Sequence, residues 1–225
     1  MERRDEASLL ENTINQLDAE DCLRHINGRL YGNDYEERLF NVAMELCITW
    51  MNRILFLKLL EAQMLKYHNG DAIYKFLSIT KIHDYDDLNT LFFQVLARDM
   101  GSRTHSIMRD FAYVPYLNSS LFEVTDLESK TIKINSLSQR TVLPVLASSV
   151  LRNKKRNLQV NALPTLQYLF AFLDAYNFAS EGSEEVQEEA KTLINASVLG
   201  YIRENKWSQG WFSIHSRLYH YVHVP

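Results

Sequence analysis

Glu128-Ser-Lys130 has the residue types and spacing of half a phosphodiester-cleaving centre. A carboxylate two positions before a lysine can hold a divalent cation while the lysine orients the attacking water, and Asp110 or Asp126 could complete the ligands. Hard oxygen donors of this kind suit Mg²⁺. Three residues make a short pattern, and a solvated charged turn feeding a strand at Thr131 explains them more simply.

Arg152-Asn-Lys-Lys-Arg156 is the densest basic run. In a loop, Arg152, Lys154, Lys155 and Arg156 could neutralise DNA phosphates through counterion release. An exposed loop kept soluble by its charge would look the same. His25, His68, His83 and His105 show no H-x-x-x-H or H-E-x-x-H pairing, so they read as ordinary histidines. Cys22 and Cys47 have no basic partner nearby in sequence and read as buried apolar groups, not nucleophiles. We therefore assign no catalytic, cofactor-binding or metal-binding residue. Arg152, Lys154, Lys155 and Arg156 remain the DNA-contact candidates.

The composition sets what could position such residues. A chain of 225 residues can bury about 70% of its unfolded surface, enough for one or two cores. With 46% hydrophobic and 23% charged residues, it does not have the composition of a chain disordered throughout. A net charge of -4 gives no global attraction to phosphate, so any DNA contact must be local. Two cysteines without a C-x-x-C pair, and an N-terminus without a signal-peptide pattern, lead us to expect a reduced, cytoplasmic setting. No apolar run reaches the ~18 residues of a membrane span. The best stretch, from Val42 to Leu65, is broken by Glu45, Asn52, Arg53, Lys58 and Glu61.

The pattern is mainly α. Asp34 to His68 holds neither Gly nor Pro and begins at a capping residue. It predicts one helix roughly 50 Å long. Leu39, Val42, Ala43, Leu46, Trp50, Ile54, Leu57, Met64 and Leu65 form its stripe, widened by Phe40, Cys47, Met51, Leu55 and Leu59. Such a helix is the expected spine of a bundle-like domain. Asp84 to Asp87 open a second helix that buries Leu88, Leu91, Phe92, Val95 and Leu96 and ends near Gly101. A shorter helix is expected over Ser102–Phe111, another from Pro164 to Phe178, and a last one from Ser183 to Leu199. A small β element is expected around residues 131–146, pairing Thr131–Asn135 with Thr141–Leu146, the latter confined to an edge by Pro144.

Val114-Pro-Tyr-Leu-Asn-Ser-Ser-Leu-Phe-Glu123 reads as a loop held in the core. Pro115 fixes the backbone, Asn118, Ser119 and Ser120 form turns, and apolar side chains anchor both ends. Asn118 and Ser119 are thus turn-formers rather than catalytic groups. Together with Trp50-Met-Asn-Arg-Ile-Leu-Phe-Leu-Lys-Leu-Leu-Glu61 and Glu188-Glu-Ala-Lys-Thr-Leu-Ile-Asn-Ala-Ser-Val-Leu-Gly200, this loop resembles the helical region of type IIG restriction-modification enzymes. Those are single polypeptides that join an endonuclease to an adenine-N6 DNA methyltransferase. The resemblance runs from about Tyr35 to Gly200. It implies an N-terminal helical segment over 1–33, a helical connector domain over 34–200, and a methyltransferase core beyond. The intact enzyme would use S-adenosylmethionine and Mg²⁺ and act on double-stranded DNA. An upstream nuclease would lie in another reading frame or a longer gene.

From Tyr201 onward the chain changes character, holding two of its three Trp and three of its seven His. The resembling enzymes instead continue with L-I-F-E-K-I-N-G-x-K-D-G-S-F-x-T-P. Reading the codons of Tyr201 to Val224 one nucleotide later permits I-F-E-K-I-N-G-H-K-D-G-S-x-F-T-P. Trp207 and Trp211, with one codon each, then fall where glycine is required. The resemblance thus implies a frameshift after Gly200 and an out-of-frame tail over 201–225. A genuine aromatic tail, with Tyr219 to Val224 as a strand, is the competing reading. The cofactor-holding F-T-P segment, the Gly-rich turn and the N-P-P-Y-like motif that grips a flipped adenine do not occur in this frame. The expectation is a catalytically silent scaffold; the alternative is a free-standing helical protein-interaction module.

Overall fold

The computed structural model describes residues 9–117, 119–134, 142–152, 161–176 and 178. Helix α1 (Leu9–Ala19) lies along α2 (Tyr35–Tyr67), and Ile14 and Leu17 of α1 enter the same core as Leu39, Val42 and Leu46 of α2. Two short 3₁₀ turns, Cys22–His25 and Gly28–Leu30, connect them. The Tyr35 hydroxyl donates to Asp18 at 2.7 Å, fixing the start of one helix on the end of the other.

The spine has the predicted ends. Asp34 accepts the Glu37 amide at 2.8 Å and satisfies a donor that the helix cannot. At the other end Asn69 takes a left-handed φ of 52°, the Gly70 amide reaches the Leu65 carbonyl at 2.7 Å, and the Asn69 amide reaches Lys66. This is the paired closure of a Schellman ending. We expect Asp34→Ala to cost about 1 kcal/mol, read as a lower denaturation midpoint with unchanged slope. A loss within error would mean that the cap contributes nothing here.

Helix α3 (Tyr85–Thr90) is capped by Asp84, which accepts the Asp87 amide at 2.8 Å. It runs on into a π-helical turn over Leu91–Leu96. The wider turn keeps Leu91 and Phe92, and Val95 and Leu96, all buried. The helix ends at Ala97, short of Gly101, and its last carbonyls are satisfied from outside the helix. Arg103, itself buried, donates to Val95 and Val114 carbonyls at 2.8 Å each, and the Leu117 amide reaches Leu96 at 2.9 Å. Asp99 caps a 3₁₀ turn over Met100–Ser102, and Thr104 caps α4 (His105–Phe111).

The loop over 114–123 is held as its residues predict. Val114 and Phe122 are fully buried, and Ser119 accepts the Leu121 amide to start a 3₁₀ turn at Ser120–Phe122. Tyr116 departs from the expectation and is exposed. Asn118 lies outside the described residues. Helix α5 (Asp126–Lys130) follows, and Ile132 and Ile134 are buried with Lys133 exposed between them. The expected alternation is therefore present, but Thr131–Ile134 form no strand.

The protein is mainly α, with one small two-stranded antiparallel sheet among the described residues. Strand β1 (Val142–Pro144) falls within the expected stretch. Its partner is β2 (Ala162–Pro164), not Thr131–Asn135, in the register Val142 to Pro164 and Leu143 to Leu163. Two strands are both edges, so each tolerates its proline. Helix α6 (Thr165–Leu173) begins after Pro164 and buries Leu166, Phe170 and Leu173. It stops at Asp174, earlier than Phe178. The predicted helix over 183–199 and the tail over 201–225 lie outside the described residues.

Candidate functional site

Glu128 is neither solvated nor available to a metal. Its side chain is 5% exposed, its Oε1 lies 2.5 Å from Arg53 Nη1, and its Oε2 lies 2.8 Å from Arg53 Nη2. Oε2 also accepts the Thr125 amide and hydroxyl, closing a capping box on α5. Burial alone would raise the Glu128 carboxyl, but the Arg53 hydrogen bond and the Thr125 amide outweigh it and hold the group below its ordinary range. With its oxygens thus occupied, Glu128 does not fit a Mg²⁺ site. Lys130 pairs with Asp126 at 2.7 Å on the surface, and Asp110 pairs with Arg109 at 2.9 Å. The E-x-K pattern is a buried clamp beside an exposed ion pair.

Arg53 sits on the buried face of α2 and is 1% exposed. Beyond Glu128, its Nε donates to the Leu121 carbonyl at 2.7 Å and its Nη2 to the Glu123 carbonyl at 2.8 Å. The guanidinium lies 5.0 Å from the Phe93 ring centroid and 5.7 Å from that of Phe92. One planar fork thus fixes the end of the 114–123 loop, the start of α5 and the π-helical turn on the spine.

A second charged group lies further along α2. Lys58 Nζ contacts Glu61 and Asp174, each at 2.5 Å, and Lys75 reaches the other Asp174 oxygen at 2.7 Å. Glu61 is fully buried, and its second oxygen accepts the Leu77 amide at 2.6 Å. Burial pushes the Lys58 ammonium down, but Glu61 and Asp174 outweigh this and hold it above its ordinary value. Asp174 is correspondingly held low: burial raises it, and Lys58 and then Lys75 overcome that. Sequence reading missed both groups because it took Arg53, Lys58 and Glu61 for interruptions.

Of the DNA-contact candidates, Arg152 is described and serves its own loop. Its Nε donates to the Val145 carbonyl at 2.9 Å and its Nη2 to Asn161 at 3.2 Å. Lys154, Lys155 and Arg156 lie outside the described residues. Both cysteines are buried. Burial pushes the Cys47 thiol up to about 11, and burial followed by Glu20 raises Cys22, so neither is an activated thiolate. His83 pairs with Asp87 at 2.9 Å on the surface, and His68 stacks on Tyr74 with centroids 3.7 Å apart. His25 borders a shallow open pocket with Cys22 and Lys130, and His105 opens α4. Among the described residues no three His, Cys, Asp or Glu side chains are grouped to hold a metal ion. Nor is any helix among them long and apolar enough to cross a membrane.

These features define a mainly α fold in which buried charges tie loops and short helices to one long helix. The chain belongs to the family described as Domain of unknown function (DUF7814), whose model matches residues 1–194. No curated protein and no solved structure matches the chain.

Proposed function

We propose that this chain is the helical connector of a type IIG restriction-modification enzyme, separated from its methyltransferase core by a frameshift after Gly200. The observation that carries the reading is a contact between two of the segments on which the resemblance rests. Arg53, in the Trp50–Glu61 segment, holds the Leu121 and Glu123 carbonyls of the Val114–Glu123 segment at 2.7 and 2.8 Å. The Trp50–Glu61 and Val114–Glu123 segments thus pack against each other. The family match also stops at residue 194, just short of Gly200.

In this reading the connector frames a DNA cleft in the cytoplasm, and the missing core supplies the S-adenosylmethionine site and the adenine pocket. Mg²⁺ would belong to a nuclease outside this chain. Arg152, Lys154, Lys155 and Arg156 would add a few phosphate contacts, with Arg152 chiefly shaping the loop. By itself the connector is silent. Determining the nucleotides downstream of Gly200 tests the proposal. In the shifted frame they should encode a Gly-rich turn and an N-P-P-Y-like motif. Unrelated coding sequence there would overturn it.

The second reading, a free-standing protein-interaction module, draws on apolar side chains left in solvent near the start of α2: Leu30 is 78% exposed and Phe40 42%. A connector parted from its core would expose such groups too.

A further inference from the structure

The two charged groups on α2 differ in how they can open. Arg53 and Glu128 are 1% and 5% exposed, so parting them strands a charge away from water. The other group is graded from inside to outside, with Glu61 at 0%, Lys58 at 8%, Asp174 at 29% and Lys75 at 42%. Withdrawing Asp174 leaves Lys58 against Glu61, a neutral pair that keeps its 2.5 Å contact. Lys58 gives up one of its two carboxylates and keeps the other, while Asp174 and Lys75, which give up their mutual contact, already have water beside them. This network therefore has one point at which it parts without stranding a buried charge.

That point lies on a seam. Asp174 directly follows α6, and α6 carries a small separate core in which Tyr168 and Ala171 pack on Val145, Leu151 and Leu163. The unit of β1, β2 and α6 meets the main core through Leu166, Phe170 and Leu173, and Asp174 ties its end to α2.

We propose that Asp174 is a releasable latch: the β1, β2 and α6 unit opens from the spine as a block, and ionic strength sets how readily. Salt shortens electrostatic reach from about 10 Å at 0.1 M to about 3 Å at 1 M, and screens half-exposed charges far more than buried ones. The Asp174 contacts are therefore weakened where the Arg53 clamp is not. The inference rests on the connector reading for its use, as a joint next to the methyltransferase core, but the opening itself does not.

Hydrogen exchange of the full chain tests it. At low salt, Asp174→Asn should speed exchange in residues 165–176 on the order of tenfold, as expected for losing a partly buried ionic contact, while 35–67 stay as in the wild type. Raising NaCl to about 1 M should bring the wild type towards the variant and leave the variant nearly unchanged. The wild-type salt series stands alone if the variant does not fold. Faster exchange spread evenly over α2 and α6, or none in α6, overturns the latch. Unrelated sequence downstream of Gly200 would overturn the connector reading and leave this result untouched.

Discussion

Replacing Arg53 with alanine is expected to remove about 3–5 kcal/mol of stability at neutral pH, the usual cost of leaving one member of a buried ion pair unpaired. Glu128 would be left nearly without solvent, and the Leu121 and Glu123 carbonyls would lose their donor. Because Arg53 holds the folded carboxyl below its ordinary value of 4.5, its stabilising effect is complete above that value. It disappears as pH falls through the lower folded value. In the variant, Glu128 is buried without its cation, so it takes up a proton more readily and the penalty shrinks on acidification. Denaturation at neutral pH and near pH 4 should therefore show a large gap between the proteins that narrows in acid. An equal gap at both would mean that Arg53 acts through packing alone.

Lys58→Ala should cost a similar amount, again about 3–5 kcal/mol, because it abandons the fully buried Glu61 with only the Leu77 amide as partner. For a chain of this size such a loss lowers the melting temperature by on the order of 10 °C. Adding Glu61→Gln should recover part of it, since the stranded charge is then gone and the two substitutions share one network. Thermal unfolding of the single and double variants decides the matter. A double variant that loses the sum of both single losses would show that the contact contributes nothing.

The spine, its two caps and the buried face over Leu88–Leu96 were legible because each rests on local rules: apolar spacing, an aspartate before the first turn, Asn-Gly after the last. The held loop was legible from Pro115 and its flanking apolar residues. The π-helical turn was not, since apolar spacing does not separate it from an ordinary helical turn, and the Arg103 and Leu117 groups that hold its last carbonyls come from further along the chain. The strand partner was misassigned because Ile132 and Ile134 alternate correctly for burial without a strand beside them.

The charged residues of α2 hold the sharper lesson. Trp50, Arg53, Ile54, Leu57, Lys58 and Glu61 follow one another at helical spacing, so the three charges fall in register with the buried stripe. A charge at a position that the period assigns to the core signals a buried partner. The E-x-K motif failed for the complementary reason: three residues cannot reveal that Glu128 meets an arginine 75 positions away.

Adenine methylation by the polypeptide made after removing one nucleotide behind the Gly200 codon tests the account most directly. Supplied with S-adenosylmethionine and duplex DNA, the frame-restored protein should transfer methyl groups to adenine, and the 225-residue chain should not. Transfer by the chain itself, or a folded frame-restored protein that transfers nothing, would contradict it.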